Sequence, residues 1–90
     1  MNTYLFSPGQ IVATPGALEL AEQGVNLMIY LSRHLRGDWG ILDKEDIKEN
    51  NFSLKKGYRL LSSFTTPMGK LWIITEADRS VTTFLLPSEY

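Results

Sequence analysis

Cysteine is absent from the 90 residues, histidine occurs once and proline four times. The missing thiols exclude disulfide staples, thiolate zinc sites, iron–sulfur clusters and cysteine nucleophiles. A metal site would have to be built from carboxylates. Asp43, Glu45, Asp46 and Glu49 show neither an EF-hand loop nor a His-x-x-x-His pair, so no metal and no cofactor is expected. An excess of one charge sign is lacking too. Nine basic residues face ten acidic ones, for a net charge of −1 and a pI near 5.7. A general nucleic-acid coat needs a strongly basic face, which leaves nucleic acid a weakly supported partner. No apolar run approaches the ~20 residues of a membrane span. The start, Met1-Asn2-Thr3-Tyr4-Leu5-Phe6, has neither the basic residues nor the apolar stretch of a signal peptide. A cytoplasmic chain with no membrane contact is the expectation. Repeats, low-complexity tracts and linkers are also missing, so residues 1–90 read as one domain. A domain of this size buries only about 60% of its unfolded surface, and 43% hydrophobic residues suffice for that.

The signals that are present run strand, helix, helix, helix, then three strands. Gln10–Thr14 follows a Ser7-Pro8-Gly9 turn and carries two β-branched residues, Ile11 and Val12. An extended piece around Thr3–Phe6 is a candidate to pair with it. Thr14-Pro15 has the hydroxyl and the donor-less residue of a helix start. The helix it opens places Leu18, Ala21 and Val25 on one face and ends at Gly24. Asn26 caps a second helix to about Arg36, apolar over most of its circumference through Leu27, Ile29, Tyr30, Leu31 and Leu35. Its basic last turn complements the helix dipole, and Gly37 closes it. Asp43 opens a charged third helix with Asp46 three residues on. Ile47, Phe52 and Leu54 are its sparse apolar positions, Gly57 is its stop, and Asn50–Ser53 are poor helix formers.

From Tyr58 the period changes to two. Tyr58–Thr65, Leu71–Glu76 and Val81–Leu86 read as strands joined by connections of hairpin length. The fold class is α+β: a short N-terminal strand and helices packed on a C-terminal three-stranded antiparallel meander, which the Gln10–Thr14 strand is free to join. Leu31, Leu35, Leu60, Ile73, Phe84 and Leu86 are the expected core, with Trp72 at least partly buried. The strand Leu71–Glu76 is apolar on both faces, which places it centrally and calls for a second cover, such as a partner subunit.

Two polar groups are candidates for chemistry or recognition. His34-Leu35-Arg36-Gly37-Asp38-Trp39-Gly40 brings His, Arg and Asp together in a tight loop at a helix end, an arrangement suited to acid–base work or anion binding. The same residues also read as a dipole complement, a turn ion pair and a core plug. Thr75-Glu76-Ala77-Asp78-Arg79-Ser80, followed by Thr82-Thr83, puts charge on a hairpin tip that orients a substrate or partner, or simply forms a turn. Arg36, Asp38, Trp39, Glu76, Asp78 and Arg79 are therefore the candidate binding residues. Gly37-x-x-Gly40 is too short for a phosphate loop and lacks its lysine, and no nucleophile elbow surrounds a serine. Charge is unevenly spread: residues 38–50 are acidic on balance, while Lys55, Lys56, Arg59 and Lys70 stand in a stretch without an acid. Such a dipolar surface suits a charged protein partner or a head-to-tail homo-oligomer.

Across nearly its whole length the chain resembles a group of bacterial proteins of about ninety residues encoded on plasmids and integrative elements. The resemblance rests on Gly9–Leu18, on His34–Gly40, and on Trp72–Ser80 continuing through Leu86-Pro87-Ser88-Glu89-Tyr90. It implies a mobile-element setting and no particular reaction. An accessory protein that binds another protein, without being an enzyme, is the expectation. The order of elements is also similar to that of the barnase and RelE ribonucleases, which place helices before an antiparallel sheet. That similarity implies, as the alternative, a metal-independent ribonuclease with His34 as acid, Arg36 as phosphate ligand, and Thr75, Arg79 and Thr83 on the sheet.

Overall fold

Each helix begins where a short polar side chain meets the first free amides. In the computed structural model, which describes residues 4–90, Thr14 accepts from Ala17 N–H at the start of α1 (Pro15–Glu22). Asn26 accepts from Met28 N–H ahead of α2 (Leu27–Leu35), and Asp43 from Asp46 N–H ahead of α3 (Lys44–Lys56). The strands are β1 (Gln10–Ala13), β2 (Leu60–Thr66), β3 (Gly69–Thr75) and β4 (Val81–Leu85), and a 3-10 turn spans Pro87–Glu89. Thr3 of the extended piece expected before β1 lies outside the described residues. Tyr4–Phe6 forms no strand, and Leu5 N–H donates instead to the Leu35 carbonyl at the end of α2.

The α+β class holds, with a four-stranded mixed sheet in the order β1-β4-β3-β2. The three C-terminal strands form the antiparallel meander, with Leu60 opposite Thr75 and Thr75 opposite Thr82. β1 completes the sheet beside β4 and parallel to it, Gln10 opposite Val81 and Ala13 opposite Phe84. This corrects the bare three-stranded expectation. The cause is a close approach at Gly9, whose positive φ of 65° lays its backbone against the carbonyls of Arg79 and Ser80 where a Cβ would collide. Gln10 N–H then bonds Ser80 and Thr14 N–H bonds Phe84.

The helices cover one face of the sheet. Phe64 of β2, Leu71 and Ile73 of β3, and Phe84 of β4 pack there with Leu31 and Leu35, and Leu60 is buried on the same face of β2, all at most 4% exposed. Leu86 and Trp72 are half-buried. The face of α1 differs from expectation: Ala17, Leu20 and Val25 are buried, while Leu18 and Ala21 face solvent. Ile29 of α2 is likewise 56% exposed, because Leu31, His34 and Leu35 turn toward the sheet. The second cover, assigned above to a partner subunit, comes in part from the chain itself. The Tyr90 ring edge meets Trp72 at 5.6 Å, and Arg59 joins Glu76 to the Tyr90 hydroxyl.

The free edge of β2 is closed by side chain and loop. The Asn50 carboxamide pairs with both main-chain groups of Leu61, donating to its carbonyl at 2.6 Å and accepting from its N–H at 3.1 Å. Ser63 bonds the Trp39 carbonyl and the Ile41 N–H, and Gly40 bridges it in parallel. This explains why α3 continues through the poor helix formers. Asn50 and Ser53 are its two buried residues, while Ile47 and Phe52 stay exposed. Asn50→Ala leaves a partly buried donor and acceptor of Leu61 unmatched, a loss of about 1–3 kcal/mol. Asn50→Asp keeps the acceptor, loses the donor and falls between the two. Urea melts measure both, and unchanged midpoints would mean that water serves this edge equally well.

Candidate functional site

α2 delivers His34 to the middle of the helix–sheet interface, where it is 0% exposed. Its Nδ1 meets the Ser62 hydroxyl of β2, and its Nε2 lies 2.9 Å from the Thr75 hydroxyl of β3. Thr75 continues to Thr82 of β4 at 2.7 Å, and Thr82 donates to the Pro8 carbonyl at 2.8 Å. The last acceptor sets the direction of the whole chain, because a carbonyl can only accept. Thr82 gives its proton to Pro8, so Thr75 gives its own to Thr82, and His34 Nε2–H must donate to Thr75. Nδ1 is then the acceptor from Ser62. The imidazole is thus held as the neutral Nε2–H tautomer, with both ring nitrogens satisfied.

Three groups enclose it. Phe6 and Trp39 meet the ring edge-on at 5.4 and 5.5 Å, and the Arg79 guanidinium lies over Phe6 at 5.6 Å from its centroid. Burial first, and the Arg79 cation second, pull the His34 pKa from 6.5 to about 3. The imidazole therefore stays neutral at ordinary pH.

Arg79 sits at the left-handed position of the β3–β4 turn with φ 61°, where glycine is the ordinary residue. Its side chain compensates for that backbone. The guanidinium donates to the carbonyls of Tyr58, Glu76 and Ala77, and to Ser53 in the last turn of α3. One cation thus joins the end of α3, the entry to β2 and the hairpin tip. Partial burial draws its pKa down from the usual arginine value, yet a guanidinium remains charged.

His34 of the first segment reaches Thr75, the residue before Glu76–Ser80, and Arg79 of the second lies over Phe6, whose ring borders His34; the carboxylates of the two segments take other partners. Asp38 pairs with Arg33 at 2.7 Å and accepts from Gly40 N–H, which lowers its pKa through the Arg33 hydrogen bond. Glu76 pairs with Arg59. Asp78 accepts from the hydroxyl and N–H of Ser80, and these bonds lower its pKa. Trp39 is 3% exposed and donates to Asn51, so its ring is a core plug. Arg36 caps α2 on the exposed side. Thr83 pairs with Ile74 in the β3–β4 register, on the face opposite Thr75. The open cleft required of a His34 acid with Arg36, Thr75, Arg79 and Thr83 around it is therefore not formed: the acid is sealed and Thr83 points away. No group of three or more potential metal-ligating side chains is found among the described residues, nor is any helix there long and apolar enough to cross a membrane.

Sequence reasoning missed the partners that make His34 inert. Ser62 and Thr82 alternate correctly with Leu60, Phe64 and Phe84, and an inward-facing hydroxyl opposite a core histidine was the signal. It also missed an apolar groove of about 310 Å3, lined by Val25, Asn26, Ile29, Tyr30, Pro67 and Met68. Ile29 and Met68 are at least half exposed there, with exposed Met28 beside Ile29 in sequence. No protein-family model, curated protein or solved structure matches the chain.

Two measurements follow from this geometry. Arg79→Ala removes charge-assisted bonds to four carbonyls, two of the bonds part-buried, and is expected to cost roughly 1.5–3 kcal/mol. Asp38→Ala breaks a pair that is 44% and 49% exposed and costs about 0.2–1 kcal/mol. Equal midpoint shifts in urea would refute that ranking. His34 supplies a pH dependence. Because its folded pKa of about 3 lies below the unfolded 6.5, the unfolded chain takes the proton first. Stability is complete above pH 6.5 and falls as pH drops, by on the order of 1 kcal/mol per unit. Between pH 6.5 and 5 carboxylates contribute little, so His34→Gln should flatten the slope in that window. An imidazole NMR signal that titrates near 6.5 in the folded protein would contradict the assignment.

Proposed function

We propose that this chain is a non-enzymatic binding protein that acts through protein–protein contact, in the mobile-element setting its sequence resemblance implies. The observation that carries the reading is the state of its only imidazole. His34 is neutral, fully enclosed and bonded at both nitrogens, so it has neither the access nor the proton affinity of a general acid or base near neutral pH. The polar residues around it serve packing: Trp39 fills the core, Arg79 ties carbonyls, and Asp38 and Glu76 are committed to Arg33 and Arg59.

The exposed surface supports the binding half of the reading. The groove between the α1–α2 connection and the β2–β3 turn combines Ile29, Tyr30, Pro67 and Met68. Flexible thioether and aliphatic side chains suit adaptable protein contacts. Apolar side chains left outside a small domain with a limited core have a cost, and recognition is the return that explains them.

The test has two arms. Metal-free incubation with single-stranded and structured RNA is expected to give no cleavage. Cleavage by the parent chain that His34→Ala or Arg36→Ala abolishes would overturn the reading in favour of the ribonuclease. In the second arm, tagged protein captures partners from a bacterial host carrying such an element. Ile29→Lys and Met68→Lys are expected to lose a captured protein while keeping the parent melting temperature. Capture that neither substitution weakens would remove the groove from the reading.

A further inference from the structure

The sheet has two edges, and the described residues close only one of them. β2 is sealed by Asn50 and by the Trp39–Ile41 segment, whereas β1 forms the opposite edge. Gln10 N–H bonds Ser80 and Thr14 N–H bonds Phe84. By the alternation of a parallel ladder, Gln10, Val12 and Thr14 turn their main-chain groups toward β4. Ile11 and Ala13 therefore turn theirs away from the sheet, and those groups meet no partner among the described residues.

Open edges are ordinarily guarded by lysine, an inward charge, a bulge or a covering element. Among the described residues nothing of the kind guards β1. The run from Ser7 to Leu18 holds no charged residue in a chain that is 21% charged. Ile11 and Val12 point to opposite faces, yet both are exposed, at 42% and 37%.

We propose that β1 pairs antiparallel with β1 of a second copy of this chain, about a two-fold axis at Val12, and continues the sheet across both copies. This register sets Ile11 opposite the partner's Ala13 and Ala13 opposite the partner's Ile11. Each pair exchanges both of its outward N–H···O bonds. Moving the axis to Ile11 would recruit Gly9, whose φ of 65° takes it out of the strand. Moving it to Ala13 would recruit Pro15, which has no N–H to give. Val12 alone leaves the ladder complete at both ends. On one face Val12 then meets the partner's Val12 with Cα atoms about 4.5 Å apart. On the other, each Ile11 lies beside a small alanine, and no like charges meet. A two-fold interface must be self-complementary, and this uncharged strand, with a large and a small residue symmetric about its centre, has that property. The edge is separate from the groove at Met68, so the two readings stand or fall independently.

Sedimentation equilibrium of the full chain, from low micromolar to near-millimolar, is expected to show a mass rising from monomer toward dimer. Val12→Lys and Val12→Glu place like charges face to face and should each weaken dimerisation about tenfold or more. An equimolar mixture of the two should restore it, because only a Val12-centred two-fold brings the substituted residues together. Val12→Cys, the sole thiol in its chain, should oxidise to a covalent dimer, since the pair spacing fits a disulfide. Met68→Lys should dimerise like the parent. A monomer at every concentration, a dimer indifferent to both charge variants, or a mixture that fails to restore it would overturn the proposal.

Discussion

One directed chain of hydrogen bonds holds this fold in register. It starts at the Ser62 hydroxyl, passes through His34, Thr75 and Thr82, and ends at the Pro8 carbonyl. The elements it joins are α2, the three strands of the meander and the segment entering β1. A hydrophobic contact tolerates a sliding of helix over sheet, because area burial has no direction. A buried donor–acceptor chain does not, because any slip leaves a polar atom unpaired at a cost of about 1–3 kcal/mol. Among the described residues no buried side-chain polar atom lacks a partner. The apolar residues around the chain supply cohesion, and the imidazole defines where α2 stops along the sheet.

That arrangement requires the ring to stay neutral, and Arg79 contributes to this from a distance. Its cation is anchored by carbonyls of α3, the entry to β2 and the hairpin tip, and its field disfavours a second positive charge at His34. The left-handed backbone at Arg79 is thus retained in exchange for a side chain that glycine lacks. The same cation locks the turn and helps keep the central histidine uncharged. Glu89 does comparable work at the other end of the sheet. Its carboxylate accepts from Thr14, Gly16 and Leu86, so the C-terminal turn is fastened to the start of α1, and the Thr14 hydrogen bond lowers its pKa.

The local elements were legible because their signals are local. Thr14-Pro15, Asn26 and Asp43 announced three helix starts, the period change announced the meander, and Leu31, Leu35, Leu60, Ile73 and Phe84 announced the core. What was hidden depends on partners distant in sequence. β1 is too short for its composition to reveal whether it runs parallel to β4, and the close approach of Gly9 to Ser80 settles that only in three dimensions. α1 presented two plausible apolar faces, and the sheet selected Ala17 and Leu20 over Leu18 and Ala21. The candidate site was half legible. The turn at the hairpin tip and the core plug at Trp39 were among the readings the residues offered, whereas the backbone carbonyls from three segments that hold Arg79 were missed.

The deeper reason for that error is an inversion of the usual pattern. Polar side chains in this molecule carry interior duties: Asn50 stands in for a neighbouring strand, Ser62, Thr75 and Thr82 serve one imidazole, and Ser53 offers its carbonyl to Arg79. Several large apolar side chains lie outside instead, including Ile11, Met28, Ile29 and Met68. A ninety-residue domain has little interior, so every polar group placed there displaces an apolar one toward the surface. Direction and register are thus secured inside, and apolar side chains are left outside, among them Ile11 and Val12 on the edge strand and Ile29 and Met68 at the groove. Fold specificity and the exposed apolar surface have the same origin in this sequence.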